Sequence, residues 1–293
     1  MLNQIKKVKR EHIVEIKYSL LIPSWNNLDY LKLCIKSIRK NSHFNNQIIV
    51  LINEGADGTE SWVKIQPDID YVFSASNIGI CYGLNSCRSL VKTDYIVYIN
   101  DDMYLLPNWD KAFDEVISEI GHKLFMLSAT MIEPTDTGNK CVLVKNFGQD
   151  IQSFNEEKLI QESAQLVKED WFGSTWPPNI LPTELWDLVG GMSIEFSPGM
   201  YSDPDLSMKL WQAGVRYFRG IGKSKVYHFG SKSTNRIKNN KGSDMFLMKW
   251  GLTSNSFVTH YLHRGKPFQG NLGIPKIGFA TKWKNRLKRI IKC

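Results

Sequence analysis

The stretch Tyr95-Ile96-Val97-Tyr98-Ile99-Asn100-Asp101-Asp102 sets five β-favouring residues directly against an amide and two carboxylates. A run this short, apolar and β-branched reads as a buried strand with a polar cluster just past its carboxyl end. Upstream, the same grammar repeats. Lys17 to Ile22 is an apolar run closed by Pro23, Gln47 to Ile52 is a second, and Asp70 to Phe73 a third. Between them lie helical periodicities: Leu28 to Lys40 aligns Leu28, Leu31, Cys34, Ile35 and Ile38, residues 58–66 read as a short helix, and Gly79 to Val91 aligns Ile80, Leu84, Cys87 and Leu90. Strands that alternate with helices of this length imply crossover connections and a parallel sheet. Ligands of such sheets sit beyond the carboxyl ends of the strands. Three polar clusters fall there: Pro23–Asn26, Asn53–Asp57 and Asn100–Asp102.

Downstream, residues 108–120 read as a helix and Lys123 to Ser128 as a further strand. Residues 131–180 read as an irregular, substrate-facing region ending in Trp171-Phe-Gly-Ser-Thr-Trp-Pro-Pro178. Trp171, Trp176 and Trp186 have faces suited to stacking on sugar rings, and equally suited to ordinary packing.

The rest of the chain sets bounds on class. Apolar residues make up 42% and charged residues 23% of 293, which excludes disordered and collagen-like classes. The cysteines Cys34, Cys81, Cys87, Cys141 and Cys293 are scattered without zinc spacing, so free thiols in a reducing cytoplasmic compartment are expected. No stretch reaches the ~18 consecutive apolar residues of a membrane span, and the basic start MLNQIKKVKREH is not followed by a signal-type apolar segment. Residues 1–16 read as a solvated basic arm.

The net charge of +8 is concentrated at the other end. Residues 276–293 hold Lys276, Lys282, Lys284, Arg286, Lys288, Arg289 and Lys292 and no acid. There Trp283, Leu287, Ile290 and Ile291 share one helical face. A basic amphipathic helix with a tryptophan reads as an anchor for an anionic membrane surface, at the cytoplasmic face; the alternative is a solvated tail. Helix-turn-helix, zinc-finger and RNA-recognition signatures are missing, so nucleic acid is not an expected partner.

Two adjacent carboxylates after a buried strand are costly without a counter-charge. A divalent cation with hard oxygen ligands, Mg²⁺ or Mn²⁺, would resolve Asp101 and Asp102; a cap for the helix near Asn108, or a plain loop, would also account for them. In Ser202-Asp203-Pro204-Asp205, Asp203 is placed to cap a helix from Pro204 to Gly214, leaving Asp205 unexplained. A capping carboxylate at the mouth of a pocket can also serve as general base. His228 ends a short apolar strand and precedes Gly230-Ser231, a turn able to cradle phosphate.

Taken in order, Ile22-Pro-Ser-Trp-Asn26, Asn77-Ile-Gly79 with Asn85, Ile99-Asn-Asp-Asp102, Gly190-Gly191, Ser202-Asp-Pro-Asp-Leu206 and Val226-Tyr-His228 resemble the family 2 glycosyltransferases of the GT-A fold. The resemblance implies an α/β fold: a Rossmann-like, mostly parallel central sheet flanked by helices, with a smaller acceptor-side part. Residues 17–265 would form it, as a nucleotide-binding half (17–128) and an acceptor half (129–265), followed by the basic tail 266–293. Also implied is an inverting, metal-dependent transfer of sugar from a nucleotide-diphosphate sugar to a hydroxyl, with Mn²⁺ or Mg²⁺ as cofactor. The basic tail points to a saccharide or lipid-linked saccharide of surface-glycan assembly as the acceptor.

Residue by residue, Pro23, Trp25 and Asn26 would line the nucleotide pocket. Asn53 and Glu54 stand where the family's base-reading acidic pair stands. Asn77 and Gly79 match the turn that covers the nucleotide, Asp101 the ribose contact, and Asp102 the metal ligand, with His228 completing the metal shell. Asp203 matches the catalytic base, and Gly190, Gly191 and Asp205 the acceptor side. Two alternatives share a similar sheet: a non-catalytic nucleotide-sugar or saccharide-binding protein, and a nucleotidyltransferase. The latter would want a Gly-rich, Arg-containing loop where Pro23-Ser-Trp-Asn26 stands.

Overall fold

The computed structural model describes residues 5–11, 13–230 and 241–292. Its first unit runs β1 (Ile5–Val8), β2 (Ser19–Trp25), α1 (Leu28–Asn41), β3 (Gln47–Asn53), α2 (Thr59–Lys64), β4 (Ile69–Ser74), α3 (Ile80–Cys87) and β5 (Tyr95–Tyr98). Strands β4, β3, β2 and β5 are mutually parallel in that spatial order. The chain therefore builds outward from β2 to β4, then returns across β2 to lay down β5. The order reverses between β2 and β5, and that is where an open α/β sheet leaves its binding crevice.

The same strands explain the three-layer packing. Leu20 and Ile22 of β2, with Ile48, Val50 and Ile52 of β3, meet Leu31, Cys34, Ile35 and Ile38 of α1. The alternate residues Leu21, Ile49 and Leu51 meet Cys81, Leu84 and Cys87 of α3 on the other face. A strand buried on both faces needs an unbroken apolar run, and these have one.

The chain continues with β6 (Met103–Leu105), α4 (Trp109–Ile120), β7 (Phe125–Glu133), β8 (Leu143–Val144), α5 (Glu156–Ser163), β9 (Trp171–Phe172) and β10 (Asn179–Pro182). It then forms α6 (Thr183–Leu188), α7 (Ser202–Gln212), β11 (Tyr217–His228), α8 (Gly242–Trp250), α9 (Ser254–Ser256) with a π-helical turn at Phe257–Tyr261, and α10 (Phe279–Lys292). The sheet order is β1-β4-β3-β2-β5-β10-β7-β11-β6, with β8 on β7 and β9 on β11. Strand β10 enters antiparallel to both β5 and β7, so one sheet runs through both halves of the chain.

Several expectations need correction. Pro23 does not close the first strand, which continues to Trp25. Leu21 gives its carbonyl to Ile99 N–H, so residue 23 faces the same side, past the end of the β5 ladder, where a missing N–H costs nothing. Lys6 and Lys7 are not in a free arm: β1 pairs antiparallel with β4 at the sheet edge, both lysines exposed. The region 131–180 is not wholly irregular, since it supplies β10 to the middle of the sheet. The 266–293 tail is not free from its start: Lys266 O accepts from Phe172 N–H, Phe268 N–H donates to Asp170 O, and Leu272 N–H to Arg216 O. Ser231 of the expected phosphate-cradling turn lies outside the described residues.

Gly220 shows how tightly the β9–β11 pairing is packed. A Cβ on Gly220 would lie 1.9 Å from the indole of Trp171, its cross-strand partner. That indole is buried, bonded through Nε1 to Thr130 Oγ1 at 3.0 Å and stacked on Trp176 at 5.9 Å. Gly220→Ala is expected to cost about 1–3 kcal/mol by overpacking, read as a lower midpoint in urea unfolding with an unchanged slope.

Candidate active site

Beyond the carboxyl ends of β2 and β5 opens a cleft of about 460 Å³, a size usual for small-molecule sites. Its walls bring together Pro23, Trp25, Asn53, Asn77, Asp101, Asp102, Asp203 and His228, eight of the residues expected from sequence. Sequence reasoning did not point to Tyr98, Met103, Met131, Met200 and Tyr201, which also line it.

Asp101 and Asp102 lie in the turn from β5 to β6, both buried. Strand β6 pairs antiparallel with β11 so that Met103 faces His228. The ladder thus carries His228 from the far end of the chain to Asp102, with Nε2 3.6 Å from Asp102 Oδ1. His228 Nδ1 lies 3.0 Å from Glu133 Oε1 on the neighbouring strand β7. Burial alone would lower the basicity of His228; the Glu133 hydrogen bond and the Asp102 charge outweigh it and hold the imidazole above its ordinary value.

A carboxylate and an imidazole form a donor set suited to a divalent metal such as Mn²⁺. The buried Nε2 has no hydrogen-bond partner, so the pair fits a cation that draws its remaining ligands from a bound substrate. Among the described residues no group of three or more His, Cys, Asp or Glu side chains is arranged as a self-sufficient metal site.

Asp203 occupies the opposite wall, in the first turn of α7. It is not the helix cap: Tyr201 fills that position in the left-handed region, with φ of 70° and no side-chain capping bond. Asp203 Oδ1 is shielded from solvent and has no hydrogen-bond partner. Burial pushes its carboxyl up to about 7. The neutral Cys81 and Tyr98, both buried, sit within its field, and both are pushed up chiefly by burial and then by Asp203 itself. A carboxylate poised near neutrality and facing a cleft is what proton abstraction at physiological pH requires.

Hydrogen bonds among the expected residues brace this wall. Glu54 accepts from Trp25 Nε1 at 2.8 Å and Asn26 Nδ2 at 3.0 Å, tying the loops after β2 and β3 together. Asn53 Oδ1 accepts from Ile78 N–H and Asn77 Oδ1 from Gly79 N–H, which fix the turn into α3. Gly79, with φ of 74°, packs against Pro198, where a Cβ would reach Pro198 Cα at 3.0 Å. Gly190 and Gly191 are outside the cleft, and Asn85 clasps the adjoining Met192 backbone through both N–H and C=O.

Asp205 is also outside the cleft: fully buried, it lies 2.9 Å from Lys249 Nζ and accepts from Trp250 Nε1 at 2.8 Å, joining α7 to α8. This structural tie accounts for the carboxylate that capping left unexplained. Of the three tryptophans, Trp176 lines the cleft, while Trp171 and Trp186 are core.

The profile described as Glycosyl transferase family 2 matches residues 19–172, more than half of the chain. The chain belongs to glycosyl transferase family 2. Within it, the chain is 29% identical over 98 residues to WcaA of Escherichia coli (strain K12), named as a colanic acid biosynthesis glycosyl transferase. That match covers 31% of this chain and 34% of WcaA, so it spans about a third of the relative's length.

Solved structures agree on the fold. The 1–349 fragment of Staphylococcus aureus TarS superposes with a TM-score of 0.58 at 12% identity, covering 94% of this chain and 71% of that one. The same TarS fragment with UDP-GlcNAc gives 0.57 at 12% identity, covering 94% and 72%. GalNAc-T7 with UDP, GalNAc and Mn²⁺ gives 0.56 at 13% identity, covering 79% and 48%. The fold of this family 2 chain is thus the GT-A arrangement expected from its motifs.

Proposed function

We propose that this family 2 chain is an inverting, metal-dependent glycosyltransferase that moves a sugar from a nucleotide-diphosphate sugar to a hydroxyl of a saccharide or lipid-linked saccharide. The observation that carries the proposal is the meeting, in one cleft at the sheet's reversal point, of a metal-suited pair (Asp102, His228) with a carboxylate whose Oδ1 is shielded and has no hydrogen-bond partner (Asp203). When bound, a divalent cation on Asp102 and His228 supplies positive charge against the departing diphosphate. Asp101 accepts from the ribose hydroxyls. Asp203 takes the proton from the acceptor hydroxyl as its oxygen attacks the anomeric carbon from the side opposite the nucleotide, so the configuration inverts. Trp176 lines the same cleft, its ring stacked on Trp171 with the Arg264 guanidinium 4.9 Å from its centroid, and forms part of the wall around the sugar. Incubation with UDP-, GDP-, CMP- and dTDP-sugars, with and without Mn²⁺, tests this through product anomeric configuration by NMR. An inverted product formed only with metal is expected; a retained one, or turnover indifferent to Mn²⁺, refutes it.

Helix α10 supports a membrane-borne acceptor. Its polar side faces the body: Asn285 is buried against Ser256, and Thr281, Lys284 and Lys288 line a second cavity of about 530 Å³ shared with α8 and α9. Its apolar side faces out, with Phe279, Trp283, Leu287 and Ile290 exposed by 81%, 50%, 42% and 64%. A surface helix ordinarily does the reverse. An outward apolar stripe within a run of lysines and arginines complements an anionic bilayer. Tyr201 lines both this cavity and the catalytic cleft, so α10 lies close to the end of the molecule that carries Asp203. No helix among the described residues is long and apolar enough to cross a membrane.

Co-sedimentation with phosphatidylglycerol vesicles is the check. Replacing Lys282, Arg286 and Arg289 by Gln should weaken partitioning by on the order of 10²-fold, at about 1 kcal/mol per charge, and deleting residues 276–293 should abolish it. Unchanged sedimentation of the deletion variant would remove the membrane role.

A further inference from the structure

The structure assigns to Glu133 the role of positioning His228: it holds the imidazole with its proton on Nδ1 and so presents the Nε2 lone pair to the metal position beside Asp102. This rests on the metal reading of the cleft and extends it to a residue outside the motifs.

The geometry is set by backbone register. Strands β7 and β11 are parallel, with Ile132 opposite Tyr227, so Glu133 and His228 are the next residues along on each. Glu133 Oε1 lies 3.0 Å from Nδ1, within hydrogen-bond distance, whereas Asp102 Oδ1 lies 3.6 Å from Nε2, outside it. A neutral imidazole carries one proton, and the closer carboxylate retains it. Nε2 is then an acceptor with no donor near it, buried and facing a second acceptor. Two electron-rich atoms so arranged call for a positive charge between them, a proton at low pH or a metal cation once the imidazole is neutral. Without Glu133 the proton would move to Nε2 and His228 would pair with Asp102, consuming both metal ligands in one contact. Carboxylates behind ligating histidines act in this way at other metal centres. Glu133 is itself largely buried, its side chain 13% exposed, so the contact is screened from water.

Two measurements on the intact chain test the assignment. ¹⁵N chemical shifts of His228 in the metal-free protein, recorded at alkaline pH where the ring is neutral, should report the Nδ1–H form in wild type and in Glu133→Gln, which keeps an acceptor, and the Nε2–H form in Glu133→Ala. Mn²⁺ titration followed by EPR in the presence of UDP should show affinity reduced by about 10–100-fold in Glu133→Ala, with most of it restored in Glu133→Gln. A Glu133→Ala protein that keeps the Nδ1–H form and wild-type Mn²⁺ affinity, even with a lowered melting point, would reduce Glu133 to a packing role and overturn the assignment. If wild type itself takes up no Mn²⁺, the metal reading falls, and the tautomer in the two variants still decides what Glu133 does.

Discussion

Asp203→Asn should lose about three orders of magnitude in turnover, within the range a general base contributes, while UDP-sugar binding measured by calorimetry stays within a few-fold of wild type. The carboxylate lines the cleft, its Oδ1 is unbonded, and burial raises it to about 7. Below that value it is protonated and cannot take the acceptor's proton, so wild-type turnover should climb with pH through about 7 and then level off. Stability should move the other way. An unfolded aspartate titrates near 3.8 and the folded one near 7, so between these values the native state holds the extra proton. Stability therefore falls as pH rises across that window. Asparagine carries no such proton, so the wild-type melting point should fall relative to that of the variant as pH rises from 4 to 8. A variant that turns over normally, or that tracks the wild-type melting curve, would discard Asp203 as the base.

Asp102→Ala should remove the response of nucleotide binding to metal. In wild type, Mn²⁺ should tighten UDP binding if, as proposed, Asp102 and His228 would hold the cation against the diphosphate. In the variant, calorimetric titrations with and without Mn²⁺ should coincide, and turnover should fall by at least about 10³-fold, as expected for several kcal/mol of lost charge stabilisation. Asp101→Ala is the internal contrast. It should weaken UDP by about 10–100-fold, the worth of a hydrogen bond to a charged group, yet leave the Mn²⁺ response intact. If Asp102→Ala still answers to Mn²⁺, the ligand lies elsewhere.

What could be read from the residues divides along physical lines. The parallel strands were legible because burial on both faces demands continuous apolar runs, and the polar clusters at their ends located the cleft. Strand β10 was not: four residues after Pro177-Pro178 carry no periodicity, and only the gap between β5 and β7 makes them a strand. Strand β6 is three residues long and exists through its pairing with β11. Asp203 was found by motif but misassigned as a cap, since the helix begins one residue after a left-handed Tyr201. Asp205 looked free because its partners, Lys249 and Trp250, are more than forty positions away. Glu133 had no local signal at all; it is 95 residues from His228, and only the alignment of two strands joins them.

Strand β10 also governs how the molecule can move. Because a segment from the later half is wedged as an inner plank between β5 and β7, the two parts of the sheet cannot swing apart like the leaves of a hinge without tearing hydrogen bonds on both sides of that plank. Admission and release of substrates must then be accomplished at the rim, by the loops that overhang a rigid floor.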